Sequence, residues 1–209
     1  MVTPFLPDDE KIAAVRDTLP ATGAGIYLTT GTAGPLSRET TAAMAEVAAW
    51  ELATGRAHVG IALETTERLE ETRAAVAAIL SSDIGTVALT HATTDGLNIG
   101  TWGVDWGPGD RAVTTSLEHL GGLGPLYVVS DRFGVDLRIA EVGDGGDDER
   151  TLAALDEAIT PGTRLVTLSH VTWSTGAVMP VARIAEIAHK QSAGGKNSRA
   201  DHVGNNDVR

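Results

Sequence analysis

The sequence contains no cysteine among its 209 residues. Disulfide bonds, thiolate metal sites and a cysteine nucleophile are therefore excluded within this chain, and the composition is compatible with a reducing compartment. Long apolar runs are also lacking: no stretch of about 18 apolar residues occurs, and the opening residues MVTPFLPDDEK have neither a basic start nor an apolar signal core. We expect a cytoplasmic protein that has no membrane partner and does not insert into a membrane.

Basic residues are scarce, since 16 Lys and Arg face 28 Asp and Glu and the formal net charge is −12. Binding to nucleic-acid phosphates needs clustered Lys and Arg, so we expect no nucleic-acid partner. An unrelated doubly wound nucleotide-binding domain is disfavoured, because no G-x-G-x-x-G follows a predicted strand and no G-x-x-x-x-G-K-S/T occurs. The six histidines show no paired ligand spacing, so we expect no metal site.

Short apolar segments alternate with helical segments through most of the chain. Ser37 as an N-cap and Gly55 as a stop predict a helix from about 38 to 54, and a second long helix is predicted from about 64 to 80. The predicted strands are YLTT (27–30), TVALT (86–90), RAVTT (111–115), VDLRIAEV (135–142) and RLVTLSHV (164–171). The alternation predicts an α/β fold of three layers, with a mostly parallel sheet covered by helices on both faces.

The composition changes sharply near the end of the chain. Three of the four asparagines lie within residues 191–209, a stretch that also lacks Leu, Ile, Phe and Met. Such a polar segment cannot bury enough apolar surface to fold, and we expect it to be a disordered tail. We therefore divide the chain into an N-terminal segment (1–36), a partial α/β domain (37–190) and a polar tail (191–209).

Ligands bind to parallel sheets at the carboxyl ends of the strands, where polar turns collect. The turn HATTDG places the hydroxyls of Thr93 and Thr94 beside the free N–H groups of a helix N-terminus, an arrangement that can bind phosphate. The alternative is that Thr94 or Asp95 merely caps the helix.

The next two strand ends carry further polar and aromatic groups. His119 in TSLEH can stack on a flat heteroaromatic ring or exchange protons, although an ordinary packed or solvated histidine is the simpler alternative. In LSHVTWSTG, Thr172 supplies a hydroxyl and Trp173 a large apolar wall. The three turns together are more informative than any one of them.

The ordered set ATTDGLN, TSLEH and SHVTWSTGAVMPV resembles the class V aminotransferase family of fold-type I pyridoxal-phosphate enzymes. That family includes cysteine desulfurases and isopenicillin-epimerase-like proteins. The segments YLTTGTAGPLSRET and HVGIALETTERLEETRAAVAAIL are similar to the start of the family, so the resemblance covers about residues 26–190. It implies the large-domain fold of these enzymes, pyridoxal 5′-phosphate (PLP) as cofactor, an amino acid as substrate and a homodimer for the full-length form.

The resemblance also implies roles for individual residues. Thr93 and Thr94 would hold the cofactor phosphate, and His119 would lie over the pyridine ring. Thr172 and Trp173 stand where the family places a polar contact near the phenolic oxygen of the cofactor. Many members have Asn at the position of Trp173, so this chain departs from the family there.

Two groups that PLP chemistry needs are missing from the sequence. The family carries a carboxylate for the pyridine nitrogen in a D-x-A-Q-like motif and the Schiff-base lysine in an S-x-H-K-like turn, and neither motif occurs in the 209 residues. Lys190, on the closing helix, and Lys196, in the polar tail, are poor substitutes. We expect a truncated enzyme that is inactive alone and does not attach PLP covalently. The alternative is a non-catalytic PLP-binding, phosphate-binding or assembly module.

Overall fold

The computed structural model of the chain describes residues 8–194. These residues divide after Thr72 into two compact units, which are described separately below. The predicted polar tail lies outside the described residues from position 195 onward, and the last helix continues to Gly194, beyond the predicted start of that tail. No helix among residues 8–194 has the length and apolarity needed to cross a bilayer.

The first unit is helical. Its elements are α1 (Asp8–Thr18), α2 (Ala21–Ala24), α3 (Arg38–Thr54) and the beginning of α4 (Ile61–Leu80). The predicted ends of α3 are confirmed: Ser37 Oγ accepts a hydrogen bond from the Thr40 N–H at 3.1 Å, and Gly55 ends the helix with a φ of 74°. That φ lies in the region that favours glycine.

The strand predicted at 27–30 is wrong. Residues 26–29 have no regular structure, and Ile26 and Leu28 are 89% and 88% exposed. The residue types of this segment are typical of a strand, but a strand needs a neighbouring strand to pair with its N–H and C=O groups. No such neighbour exists among the described residues.

The second unit contains the sheet. After the end of α4 come a 3₁₀ turn (Ile84–Thr86), α5 (Thr93–Trp102), β1 (Arg111–Thr115), α6 (Leu120–Phe133), β2 (Asp136–Ala140), α7 (Asp148–Ala158), β3 (Thr163–Val166) and α8 (Val181–Gly194). The three strands are parallel in the order β2-β1-β3, and Val113 pairs with Arg138 on one side and Val166 on the other. The last three predicted strands are thus confirmed, with shorter bounds for β2 and β3.

The strand predicted at 86–90 is wrong for a reason the structure makes plain. Asp83 caps the 3₁₀ turn by accepting from the Gly85 N–H at 2.7 Å. The guanidinium of Arg73 then donates to the carbonyl oxygens of Ile84 and Val87, at 2.7 and 2.9 Å. Within the predicted strand, the Val87 carbonyl is thus bound by a side chain, and no described strand pairs with the segment.

Helices cover both faces of the sheet, as the three-layer prediction requires. On one face, Val113 packs in a core formed with α7 and α8, of which Leu155 and Ile184 are buried members. On the other face, Ala112 packs with Leu126 of α6 and Leu165 of β3. Successive residues of a strand point to opposite faces, so neighbouring positions of β1 serve two different cores.

Candidate functional site

The carboxyl ends of β1 and β3 and the N-termini of α5 and α6 meet at one edge of the sheet. His119 is the residue before α6, and its ring caps that helix: Nδ1 accepts a hydrogen bond from the Gly121 N–H at 3.0 Å. Because Nδ1 acts as an acceptor, the neutral ring carries its proton on Nε2. The ring is exposed, and Nε2 is the nitrogen that this cap leaves available to a ligand.

Trp173 contacts the same ring. The centroids of the Trp173 and His119 rings lie 5.4 Å apart and their planes meet at 84°, which is the edge-to-face geometry that aromatic pairs favour. Trp173 remains 63% exposed. The turn after β3 and the start of α6 are therefore in contact, as expected for two strand ends of one parallel sheet.

The N-terminus of α5 is open. Ala92 stands at its N-cap position in an extended conformation, and no side chain caps the helix. The first backbone hydrogen bonds to the Ala92 carbonyl come from Asp95 and Gly96, so the N–H groups of Thr93 and Thr94 are left without a backbone acceptor in the described chain. The capping interpretation of Thr94 and Asp95 thus gains no support, and the exposed donors suit an anion.

Gly121 brings the start of α5 and His119 together. A Cβ built on Gly121 would lie 2.8 Å from Thr94 Oγ1 and 3.1 Å from His119 Nδ1. A methyl group at this position would force one of these side chains or the backbone to shift, so glycine allows the threonine hydroxyl and the imidazole to lie close to the start of α6. The residues present therefore fit a phosphate-bearing aromatic ligand: open donors for the phosphate and an exposed ring beside them.

Thr172 has a structural place. It is buried, its hydroxyl lies 2.6 Å from Thr175 Oγ1, and it accepts from the Ala177 N–H at 3.0 Å. An isolated bridge between Val171 and Val178 closes the same turn. Thr172 therefore holds the turn that presents Trp173, and its own contact with a cofactor remains a prediction.

Glu118 and the glycines of α6 are the residues that sequence reasoning missed. Glu118 is only 8% exposed, and its Oε1 accepts from the His119 N–H at 2.7 Å and from Ser169 Oγ at 2.8 Å. A second serine–glutamate pair, Ser116 Oγ to Glu141 Oε1 at 3.0 Å, joins the ends of β1 and β2. Two adjacent glycines in a first helical turn were the available signal, because glycine is a poor helix former.

The alternative lysine is not at this edge. Lys190 lies nine residues after Val181, the first residue of α8, so its backbone is about 14 Å along the helix axis. Its side chain is exposed. Lys196 lies outside the described residues.

The chain has relatives among known proteins. The family model for aminotransferase class-V matches residues 26–194. A probable cysteine desulfurase of Methanothermobacter thermautotrophicus is 31% identical over 182 residues, which cover 86% of this chain and 44% of that relative. A probable cysteine desulfurase of Mycolicibacterium paratuberculosis is 34% identical over 144 residues, which cover 66% of this chain and 20% of that relative.

Solved structures give the same result. A mutant of C-DES with glycine covalently linked to its PLP cofactor superposes with a TM-score of 0.81 at 27% identity, covering 91% of this chain and 47% of that one. The cystine C–S lyase C-DES in complex with its product cysteine persulfide gives 0.75 at 29% identity, covering 81% and 44%. The chain spans about half the length of the Methanothermobacter relative and of C-DES. On the family match over most of its residues, the chain belongs to the aminotransferase class-V family.

Proposed function

We propose that this chain binds PLP and constitutes the cofactor-phosphate part of a cysteine desulfurase-like enzyme acting on an amino acid. One observation carries the proposal: the uncapped first turn of α5 and the exposed His119 ring both lie against Gly121, with Thr94 Oγ1 and His119 Nδ1 at 2.8 and 3.1 Å from the position that a Cβ would take there. The relatives support it, because one is named a probable cysteine desulfurase and C-DES binds PLP.

The open N-terminus of α5 would hold the cofactor phosphate. The N–H groups of Thr93 and Thr94 point out of the helix start, where the helix dipole also favours negative charge. The hydroxyl of Thr94 adds a donor next to Gly121. A chain with a net charge of −12 needs such a local source of positive potential to bind an anion.

His119 would lie against the pyridine ring. Its Nδ1 is engaged by the Gly121 N–H, which fixes the tautomer, and Trp173 contacts one side of its ring. When bound, PLP supplies an electron sink for reactions at the α-carbon of an amino acid. The residues of this chain would bind and orient that group.

Covalent attachment and turnover are not part of the proposal for these 209 residues. Neither the D-x-A-Q-like nor the S-x-H-K-like motif occurs in them. Incubated with PLP and cysteine, this chain should release no more sulfide than free PLP releases. Sulfide above that level would contradict this part of the proposal.

The binding itself is best measured with pyridoxine 5′-phosphate, which has no aldehyde and cannot react with the lysines. We expect calorimetry to show saturable binding of this ligand, much weaker binding of pyridoxine, and competition by inorganic phosphate. Thr94→Val, which removes the hydroxyl while keeping the shape, should weaken binding about tenfold, because hydrogen bonds to charged groups are the stronger ones.

Thr86→Val is the matched control, since the exposed Thr86 hydroxyl donates to the Asp83 carbonyl within its own turn. It should leave the affinity unchanged. We call the open N-terminus of α5, with the N–H groups of Thr93 and Thr94 and the Thr94 hydroxyl, the phosphate cradle. Equal affinity for pyridoxine and its phosphate, or an equal loss of affinity in both variants, would show that the cradle does not bind the phosphate.

The homodimer and the cytoplasmic location remain predictions. Light scattering on the purified chain and fractionation of the source cells would test them separately. Neither result bears on the cradle, because the residues that form it belong to one chain.

A further inference from the structure

We infer that Glu118 is a positioning residue for His119, a buried carboxyl that ties the turn before α6 to the loop after β3. As a statement about ligand binding, the inference rests on the proposed function. As a statement about the His119 ring, it stands on the geometry of the chain alone.

The burial of Glu118 calls for a reason. Glutamate is seldom fully buried unless it is paired, and Glu118 is 8% exposed. Its Oε1 accepts two hydrogen bonds, one from the His119 N–H and one from the hydroxyl of Ser169. Ser169 is 51 residues further along the chain, so one oxygen atom joins two strand-end loops.

Gly122 makes room for this carboxyl. A Cβ built on Gly122 would lie 3.1 Å from Cγ, Cδ and Oε1 of Glu118. The two adjacent glycines therefore have different neighbours: Gly121 admits Thr94 and His119, and Gly122 admits Glu118. Gly124, in the next turn, has nothing within 4 Å of its Cβ position and needs no such explanation.

The hydrogen bonds of Glu118 bear on the ligand-facing ring. His119 is held at three points: its N–H by Glu118, its Nδ1 by the Gly121 N–H, and its ring by Trp173. Trp173 stands four residues after Ser169, in the loop that Glu118 also holds. Without the Glu118 carboxyl, the His119 N–H and the Ser169 hydroxyl both lose their hydrogen-bond acceptor. The imidazole and the loop beside it are then less firmly held, although the carboxyl itself need not touch the ligand.

Nitrogen NMR of the histidine rings in the 209-residue chain tests the role directly. The His119 signals are assigned by their loss in His119→Gln, and the wild type should show an acceptor Nδ1 and a protonated Nε2. Glu118→Ala should shift the Nδ1 and Nε2 signals towards a mixture of tautomers. Glu118→Gln should restore the wild-type pattern, because the amide oxygen can accept both hydrogen bonds.

Two control variants, Glu141→Ala and Ser174→Ala, separate a positioning role from a general loss of polar groups. Glu141→Ala removes the other serine–glutamate pair at this edge and should leave the His119 signals unchanged. Ser169→Ala, which deletes only the donor from the second loop, should shift them in the direction of Glu118→Ala. Ser174→Ala, the same change at an exposed position of the neighbouring turn, should not.

Ligand binding supplies the second readout. Glu118→Ala should weaken binding of pyridoxine 5′-phosphate about fivefold to tenfold, and Glu118→Gln should stay within about twofold of the wild type. In a His119→Ala background, Glu118→Ala should add little, because a residue that acts through another shows non-additive effects.

The outcomes distinguish the two proposals. Unchanged ring signals in Glu118→Ala, failure of Glu118→Gln to restore them, or full additivity with His119→Ala would overturn the role of Glu118. Absence of ligand binding by the wild type would overturn the proposed function alone, since the ring signals still decide about Glu118. If Glu118→Ala does not unfold cooperatively on heating, the His119 ring signals of the milder variants Ser169→Ala and Glu118→Gln decide about Glu118 in its place.

Discussion

The two edges of the sheet use polar residues in opposite ways. At the amino edge, Asp136 accepts from Arg111 at 2.7 to 2.8 Å and from Arg138 at 2.9 Å, and Arg111 also donates to Thr160. At the carboxyl edge, the first N–H groups of α5 have no side-chain cap and the His119 ring is exposed.

The difference shows which edge stabilises the domain and which one is available to a ligand. Charged groups at the amino edge bind one another across two strands and a loop, so their hydrogen bonds serve the fold. At the carboxyl edge, the internal hydrogen bonds of Glu118, Thr172 and Thr175 instead hold loops in place around donors that stay free. This division agrees with the general position of ligand sites in parallel sheets.

The largest effect on the difference between the two edges is expected from a variant that adds a methyl group at the carboxyl edge. Gly121→Ala places a methyl group 2.8 Å from Thr94 Oγ1, which forces the hydroxyl or the helix start to move. We expect calorimetry to show binding of pyridoxine 5′-phosphate weakened by more than about tenfold, which corresponds to about 1.4 kcal/mol.

Gly124→Ala is the matched control, because it introduces the same methyl group into open space on the same helix. It should leave binding unchanged, and we expect no gain in stability from the alanine, because position 124 precedes Pro125 and a Cβ there disfavours the helical conformation. Similar losses of affinity in both variants would show that the crowding at Gly121 has no specific role.

The sequence predicts these edges unequally. The strand-end rule places His119 after β1, because an apolar strand and a polar turn leave a local pattern. For Thr93 and Thr94 the rule relied on a strand at 86–90 that does not form, although the helix that begins at Thr93 does. The roles of Gly121 and Glu118 depend on distances between loops that are far apart in the chain, which no local pattern reports. The sequence does not predict that the Thr172 hydroxyl bonds within its own turn.

The fold shows a similar limit. Helix α3 and strands β1 to β3 follow from caps and apolar runs, but the segment at 86–90 looks equally apolar and does not join the sheet. There the Arg73 side chain binds the Val87 carbonyl oxygen, and no described strand lies beside the segment to pair with it, which strand propensity alone does not report.

At the amino edge, a change should affect stability and leave binding alone. The hydrogen bond from Arg111 holds the pKa of Asp136 below its usual value; partial burial opposes this effect, and the hydrogen bond from Arg138 lowers the pKa further. A carboxyl whose pKa is lowered on folding stabilises the fold above its unfolded pKa, about 3.9, and the benefit is lost as the pH falls through the folded value. Asp136→Asn should cost at most about 1 kcal/mol near pH 7, because the pair is partly exposed.

Urea unfolding at several pH values checks this expectation. The difference between wild type and Asp136→Asn should be constant above about pH 5 and shrink below about pH 4, where Asp136 becomes protonated. Asp156→Asn, at an exposed carboxylate of α7, should show no such dependence. A loss of ligand affinity in Asp136→Asn would contradict the separation of the two edges.

The smallest expected effect comes from Trp173, whose contact with His119 is made largely in solvent. Trp173→Asn removes an edge-to-face aromatic pair, worth about 0.5–1.5 kcal/mol when buried and less at 63% exposure, so binding of pyridoxine 5′-phosphate should weaken by no more than about threefold. Trp102→Asn is the matched control, because Trp102 makes a similar contact with Phe133 at 5.9 Å and does not touch His119. A loss in Trp173→Asn as large as that in Gly121→Ala would mean that the aromatic wall, and not the phosphate cradle, dominates recognition at this edge.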